Sequence, residues 1–181
     1  IQGENALFEN ATQILQLGSH PVLLCDDMVY QIVGEKFNDY ITRYGFHVLH
    51  VAFNGEASDA EIDRVVALAE KDGADLVIGL GGGKTIDSAK AIADILGRPV
   101  VIAPTIASTD APTSALSVIY TEDGAFEKYI FYSKNPELVL VDTKVIAGAP
   151  KRLLASGIAD GLATWVEARA VQQKNGTTML G

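Results

Sequence analysis

The stretch that most restricts the fold is Ile78-Gly79-Leu80-Gly81-Gly82-Gly83-Lys84-Thr85-Ile86-Asp87-Ser88-Ala89-Lys90, entered through the apolar run Asp75-Leu76-Val77-Ile78. An unbroken run of aliphatic and β-branched residues fills a strand covered on both faces. Four glycines in the five positions 79–83 then break the strand. Without Cβ atoms, the backbone N–H groups of such a turn can approach a bulky anion closely. From Lys84 the spacing turns helical, with Ile86, Ala89, Ile92 and Ala93 on one face. Strand, glycine turn and helix N-terminus together present unpaired N–H groups and the positive end of the helix dipole to an anion.

Two familiar phosphate loops fail on spacing. A P-loop counted back from Gly83-Lys84-Thr85 needs glycine at 78, where the chain has Ile78. The dinucleotide pattern G-x-G-x-x-G takes Gly79 and Gly81 but meets Lys84 at its third glycine. A glycine-rich turn with no ligand is the plain alternative. Lys84 argues against it, because a cation at a helix start opposes the dipole unless an anion is close by.

Strands and helices alternate around this stretch. Residues 4–17 have helical spacing, with Leu7, Ala11, Ile14 and Leu15 on one side and Gly18 placed as a C-cap. Pro21–Cys25 reads as a buried strand ending at Asp26-Asp27. Residues 28–43 read as a helix facing inward through Val29, Ile32, Val33, Phe37 and Ile41, and 47–52 as the next strand. Ser58 with Glu61 makes a capping box for a helix running to about Asp72. Strands follow at 99–103 and 138–142, and Asp123-Gly124 between the runs 117–120 and 129–132 signals a hairpin. After Pro150, residues 151–172 read as one helix with the apolar stripe Leu154, Ile158, Leu162, Trp165, Val166 and Ala170. The fold class expected is α/β, a Rossmann-like parallel sheet with helices on both faces, followed by the start of an all-helical domain near residue 150.

Ligands of such sheets bind at the carboxyl ends of the strands, which puts Asp26, the glycine loop and the segment after Pro104 on one edge. That segment, 104–117, is a long run of small, often polar residues whose hydroxyls suit phosphate, ribose or amide groups. A solvated loop is its bland counterpart. Likewise Asp26 could cap the helix after it, Asp110 could form a local turn before Pro112, Asp160 could be a surface acid, and Trp165 and Tyr120 could be core residues.

The 181 residues suffice for one domain, or one domain and part of another, and 48% hydrophobic with 20% charged residues describes an ordinary globular chain. A formal charge of -9 argues against nucleic acid as a partner. No apolar run of about 18 residues suggests a membrane span, no leader is visible, and the single Cys25 excludes an internal disulfide, so the expectation is a cytoplasmic protein.

Three segments together resemble the iron-containing, or group III, alcohol dehydrogenase superfamily, and within it the glycerol dehydrogenase kind. They are the G-G-G-K-[ST]-x-D loop Gly81–Asp87, the contiguous run Pro104–Tyr120, and Ala155–Asp160. The resemblance covers essentially the whole chain but about half of a family member, the N-terminal half. It implies an NAD-binding domain over 1–149 and, over 150–181, the beginning of a truncated helical metal-binding domain. Asp26 would accept the adenosine ribose hydroxyls of NAD. Gly82, Gly83 and Lys84 would hold the pyrophosphate, and Thr105 and Ser108 would line the adenine and phosphate side. Ser114, Leu116 and Tyr120 would position the nicotinamide half. Asp110 would bond the polyol substrate, glycerol or a similar small polyol, and Asp160 would bind the catalytic zinc. Relatives of this kind form homo-oligomers, an assembly not carried over to this chain.

The chain departs from the family at the metal. The family adds two histidines from its helical domain, whereas this chain has His20, His47 and His50, all upstream of Asp160. A catalytic zinc needs about three protein ligands. The expectation is therefore a chain that keeps most of an NAD site and is inactive alone. A non-catalytic NAD or ADP-ribose-binding module is the alternative from another class. A P-loop triphosphatase is disfavoured by Ile78. Superfamily enzymes acting on other diols or sugar phosphates are further variants, against which the run Ser108–Pro112 favours the glycerol dehydrogenase kind.

Overall fold

The structure is a computed structural model describing residues 1–174 and 176. In chain order it holds β1 (Gln2–Gly3), a 3-10 turn at Ala6–Phe8, α1 (Ala11–Leu15), β2 (Pro21–Cys25), α2 (Asp27–Val29), a π-helical turn at Tyr30–Gly34 and α3 (Glu35–Arg43). Then come β3 (Leu49–Ala52), α4 (Asp59–Asp72), β4 (Leu76–Gly81), α5 (Gly83–Leu96), β5 (Val100–Pro104), β6 (Leu116–Tyr120) and β7 (Phe126–Phe131). The last elements are β8 (Leu138–Val139), β9 (Val141–Asp142), α6 (Thr143–Ala147) and α7 (Lys151–Gln173).

Five parallel strands make the central sheet in the order β3-β2-β4-β5-β8. Val22, Leu24, Val77 and Ile102 point to one face and meet Ile62, Val65 and Ala69 of α4 and Ile86, Ala89 and Ile92 of α5. Leu23, Leu76, Ile78 and Val101 point to the other and meet Leu7, Ile14, Val33, Phe37 and Ile41. Both faces are covered, so the strands read as apolar runs rather than alternations. Each fully buried large side chain contributes about 1.5–3 kcal/mol.

Several local expectations change. The helix expected over 4–17 is broken: Asn5 and Leu7 donate their N–H groups to the Asp142 carboxylate at 3.3 and 3.2 Å, and Asn10 Nδ2 donates back to the Ala6 carbonyl at 2.7 Å. This pulls residues 5–8 out of helical register, and Leu15 ends up exposed. Gly18 is not a left-handed cap; a Cβ there would sit 2.6 Å from Asp75 Oδ1, so glycine permits a close approach. The helix after Asp26 is continuous, but its π turn rotates the face, so Ile32 is 65% exposed while Val33, Phe37 and Ile41 are buried.

The capping box of α4 is half formed. Ser58 Oγ accepts from the Glu61 N–H at 3.3 Å, but Glu61 turns to Asn54 and Arg64 instead of back to Ser58. The expected strand 138–142 splits at Leu140: β8 pairs with β5, whereas β9 pairs with β1. The hairpin β6–β7 forms, antiparallel, around Gly124 at φ 85°.

Beyond Pro150, α7 forms as expected, yet its stripe is not core. Leu154, Ile158, Leu162, Trp165 and Val166 are each more than half exposed, and Arg169 stacks on the Trp165 ring at 4.6 Å. No helix among the described residues is long and apolar enough to cross a membrane.

Candidate functional site

The carboxyl ends of β2, β4 and β5 share one edge of the sheet. From β2 the chain goes outward to β3, then returns past β2 to β4 and continues the other way, so strand order reverses between β2 and β4. Open parallel sheets bind ligands in the crevice at such a reversal. The register sets Leu24 beside Gly79, which brings Asp26 level with Gly81 and the turn that follows it.

Asp26 caps the helix it precedes: Oδ1 accepts from the Val29 N–H at 2.8 Å. Oδ2 takes no hydrogen bond among the described residues, so the cap and a ligand can each have an oxygen. Facing it, α5 starts without a side-chain cap, because Gly82 stands in the N-cap position. Its first-turn N–H groups are left for an external acceptor.

The four glycines divide the work in a way the sequence did not reveal. Strand β4 runs on through Gly79 and Gly81 rather than breaking there. A Cβ on Gly79 would lie 2.6 Å from Ala89 Cβ, and one on Gly81 2.8 Å from Thr85 Oγ1. These two let strand and helix close on one another. At Gly83 the nearest atoms to a built Cβ are those of Thr109 at 3.8 Å, which leaves the front of the helix open.

Lys84 is exposed at this start. It forms an ion pair with Glu56 and lies 5.8 Å from the centroid of the Tyr120 ring. Glu56 was not singled out from the sequence, although it follows the carboxyl end of β3 and therefore belongs to the same edge. Its Oε2 is buried and has no hydrogen-bond partner.

Thr105 extends the β4–β5 pairing through its N–H to the Gly81 carbonyl at 3.0 Å and is buried; Ser108 is half-buried. Asp110 is exposed, and its side chain makes no local turn. Thr109 Oγ1 does so instead, accepting from the Ala111 N–H at 3.1 Å. The Asp110 carboxylate is therefore left open to solvent or ligand.

The loop is held from beneath by a residue the sequence reading passed over. Lys90 Nζ donates to the Ala111 carbonyl at 3.0 Å, to Ser114 Oγ at 3.2 Å and to the Leu116 carbonyl, and pairs with Asp87 Oδ1 at 2.9 Å. Asp87 Oδ2 accepts from the Val118 N–H at 3.2 Å, and its carbonyl accepts from Ser117 Oγ at 2.8 Å. Burial raises the Asp87 pKa, against the pull of Lys90 in the other direction. The signal was present: α5 is apolar on nearly every side, so an Asp and a Lys three residues apart within it had to be buried together.

Helix α7 touches this loop. A Cβ on Gly157 would overlap the Ala107 carbonyl and stand 3.3 Å from Ser108 Cα. Asp160, three residues on, is exposed. The cluster of possible ligands found among the described residues, His20, His47 and Asp72, is elsewhere. A lone carboxylate does not make a metal site, so the metal the resemblance implies does not fit the residues described here.

The comparisons with known proteins agree with this fold. A family model described as iron-containing alcohol dehydrogenase matches residues 1–143. The chain is 48% identical over 181 residues to a glycolaldehyde reductase of Halobacterium salinarum, covering all of this chain and 50% of that protein. It is 45% identical over 181 residues to a glycerol dehydrogenase of Pseudomonas putida, with the same coverage. The crystal structure of glycerol dehydrogenase from Schizosaccharomyces pombe superposes with a TM-score of 0.85 at 45% identity, over 92% of this chain and 42% of that one. The chain thus spans about half the length of the curated relatives it matches.

Proposed function

The chain belongs to the iron-containing alcohol dehydrogenase family, and from that premise we propose that it is the NAD-binding half of a metal-dependent polyol dehydrogenase acting on glycerol. The observation that carries this reading is the uncapped start of α5 at the strand-order reversal, with a free oxygen of Asp26 level with it. A carboxylate there accepts a ribose diol and repels the 2′-phosphate of NADP. Gly82, Gly83 and Lys84 take the pyrophosphate, which must draw Lys84 from Glu56. Thr105 and Ser108 line the path toward adenine, and Ser114, Leu116 and Tyr120 orient the nicotinamide half. Asp110 accepts a hydroxyl of the polyol. NAD supplies the hydride acceptor when bound.

By resemblance Asp160 would be one ligand of the catalytic metal, zinc in this reading, but alone it does not hold the ion, and the described residues add no second ligand beside it. We expect NAD binding by this chain without turnover of glycerol. That same lone carboxylate also suits the second reading, a non-catalytic module binding NAD or ADP-ribose.

Calorimetric titration with NAD, NADP and Mg-ATP, on the wild type and Asp26→Asn, tests the cofactor site. Asparagine also caps helices, so the variant keeps its fold. NAD should bind in preference to the other two, and Asp26→Asn should narrow its advantage over NADP. No NAD binding, or an unchanged preference in the variant, would overturn the proposal. Selective binding by an unrelated protein partner, with NAD bound, would favour the module instead.

A further inference from the structure

A different cluster lies at the opposite, amino end of the sheet. The pairing of β2 with β3 sets Val22 beside Leu49, and two residues back the same register brings His20 beside His47. Both backbones are fixed. The His20 N–H donates to Asp75 Oδ1 at 2.8 Å, its carbonyl accepts from the Asp75 N–H at 3.0 Å, and the His47 N–H donates to the Ser19 carbonyl at 3.0 Å. The two rings meet edge to face with centroids 4.4 Å apart. Asp72 closes α4 just before the left-handed Gly73 and brings Oδ2 to 2.7 Å from His20 Nε2. One ligand atom from each of the three residues lies within 4.8 Å of the other two.

We propose that His20, His47 and Asp72 bind a divalent transition-metal ion, zinc before others, in a three-ligand site with an open position. The His20–Asp72 pair alone leaves His47 unexplained: its side chain takes no hydrogen bond among the described residues, yet its ring is set against His20. Two imidazoles and a carboxylate are a zinc, nickel or copper set rather than a magnesium or calcium set. With bonds of about 2.1 Å, tetrahedral ligand atoms stand roughly 3.4 Å apart. Reaching that spacing needs the His20–Asp72 contact to open slightly and the exposed His47 ring to turn inward. The ion would join the starts of β2 and β3 to the end of α4, and it would lower the negative charge of an acidic chain. The site is independent of the cofactor edge and of Asp160.

The test is titration of the metal-stripped chain with zinc chloride against a chelating indicator dye, with thermal melts in parallel. One equivalent should bind and raise the Tm. His47→Gln, at an exposed side chain, should weaken binding roughly tenfold or more, since even outer-shell partners cost that much, and should abolish the rise in Tm. Asp160→Ala should bind this equivalent unchanged, and the imidazole resonances of His20 and His47 should shift while those of His50 do not. No saturable binding, equal affinity in His47→Gln, or loss of this equivalent in Asp160→Ala would each overturn the assignment.

Discussion

Lys90 and Asp87 are paired inside α5, Nζ to Oδ1 at 2.9 Å, with side chains 2% and 9% exposed. The pair is a fastening: Lys90 takes the loop carbonyls of Ala111 and Leu116, and Asp87 takes the first strand of the hairpin at Val118. The helix whose start faces the proposed phosphate site thereby also fixes the loop proposed for the nicotinamide half.

Lys90→Met leaves Asp87 buried without its partner and should cost about 3–5 kcal/mol in urea unfolding, whereas adding Asp87→Leu should recover much of that loss. In the double variant, ADP-ribose should bind as in the wild type while NAD loses its extra affinity. A single variant as stable as the wild type would contradict the fastening role.

Gly79→Ala should destabilise by about 1–3 kcal/mol, the usual cost of overpacking, since the new methyl would stand 2.6 Å from Ala89 Cβ. Ala89→Gly should relieve it in part. A double-mutant cycle checks this: the two changes together should cost less than their sum.

Glu56→Gln should tighten NAD and ADP-ribose binding, because a phosphate no longer competes with a carboxylate for Lys84. The pair is partly exposed, so the gain should stay within about 1 kcal/mol, or roughly fivefold, and shrink with added salt. Weaker binding in Glu56→Gln would show instead that Glu56 holds Lys84 in place for the ligand.

Cys25 is fully buried, and burial, then the charges of Asp26 and Asp27, push its thiol up to about 12 from 9.0. The folded state thus holds the proton that the unfolded chain gives up. This contribution to stability is whole below pH 9 and is lost as pH rises toward 12. Labelling by a disulfide reagent at pH 8 should proceed at the rate of opening, not at the rate of a free thiol. Prompt labelling of the native chain would count against it.

The parallel sheet could be read from the sequence because its signals are local: apolar runs such as Pro21–Cys25, and the helical spacing from Ile86 to Ala93. That Asp26, the glycine loop and the segment after Pro104 share the carboxyl edge followed from strand direction alone, whereas Glu56 at the same edge carried no signal of its own. What escaped was set at a distance. Asn5 and Leu7 leave the helix for Asp142, more than 130 residues away. The π turn at Tyr30–Gly34 rotates Ile32 outward without any mark in the apolar pattern. The partners of Lys90, the carbonyls of Ala111 and Leu116, lie on a loop whose path no periodicity describes.

The pairing of β1 with β9, Gln2 to Val141 and Gly3 to Asp142, also orders events in time. The β-α-β units from β2 to β5 each find their partners within a few dozen residues, so they can assemble as the chain is made. Gln2 and Gly3 cannot pair, and the N–H groups of Asn5 and Leu7 cannot reach their acceptor, until Asp142 has been synthesised and has left the ribosome. Until then the segment is held only through Leu7 and Phe8 against Phe37, and it is among the last parts of this fold to reach its native place.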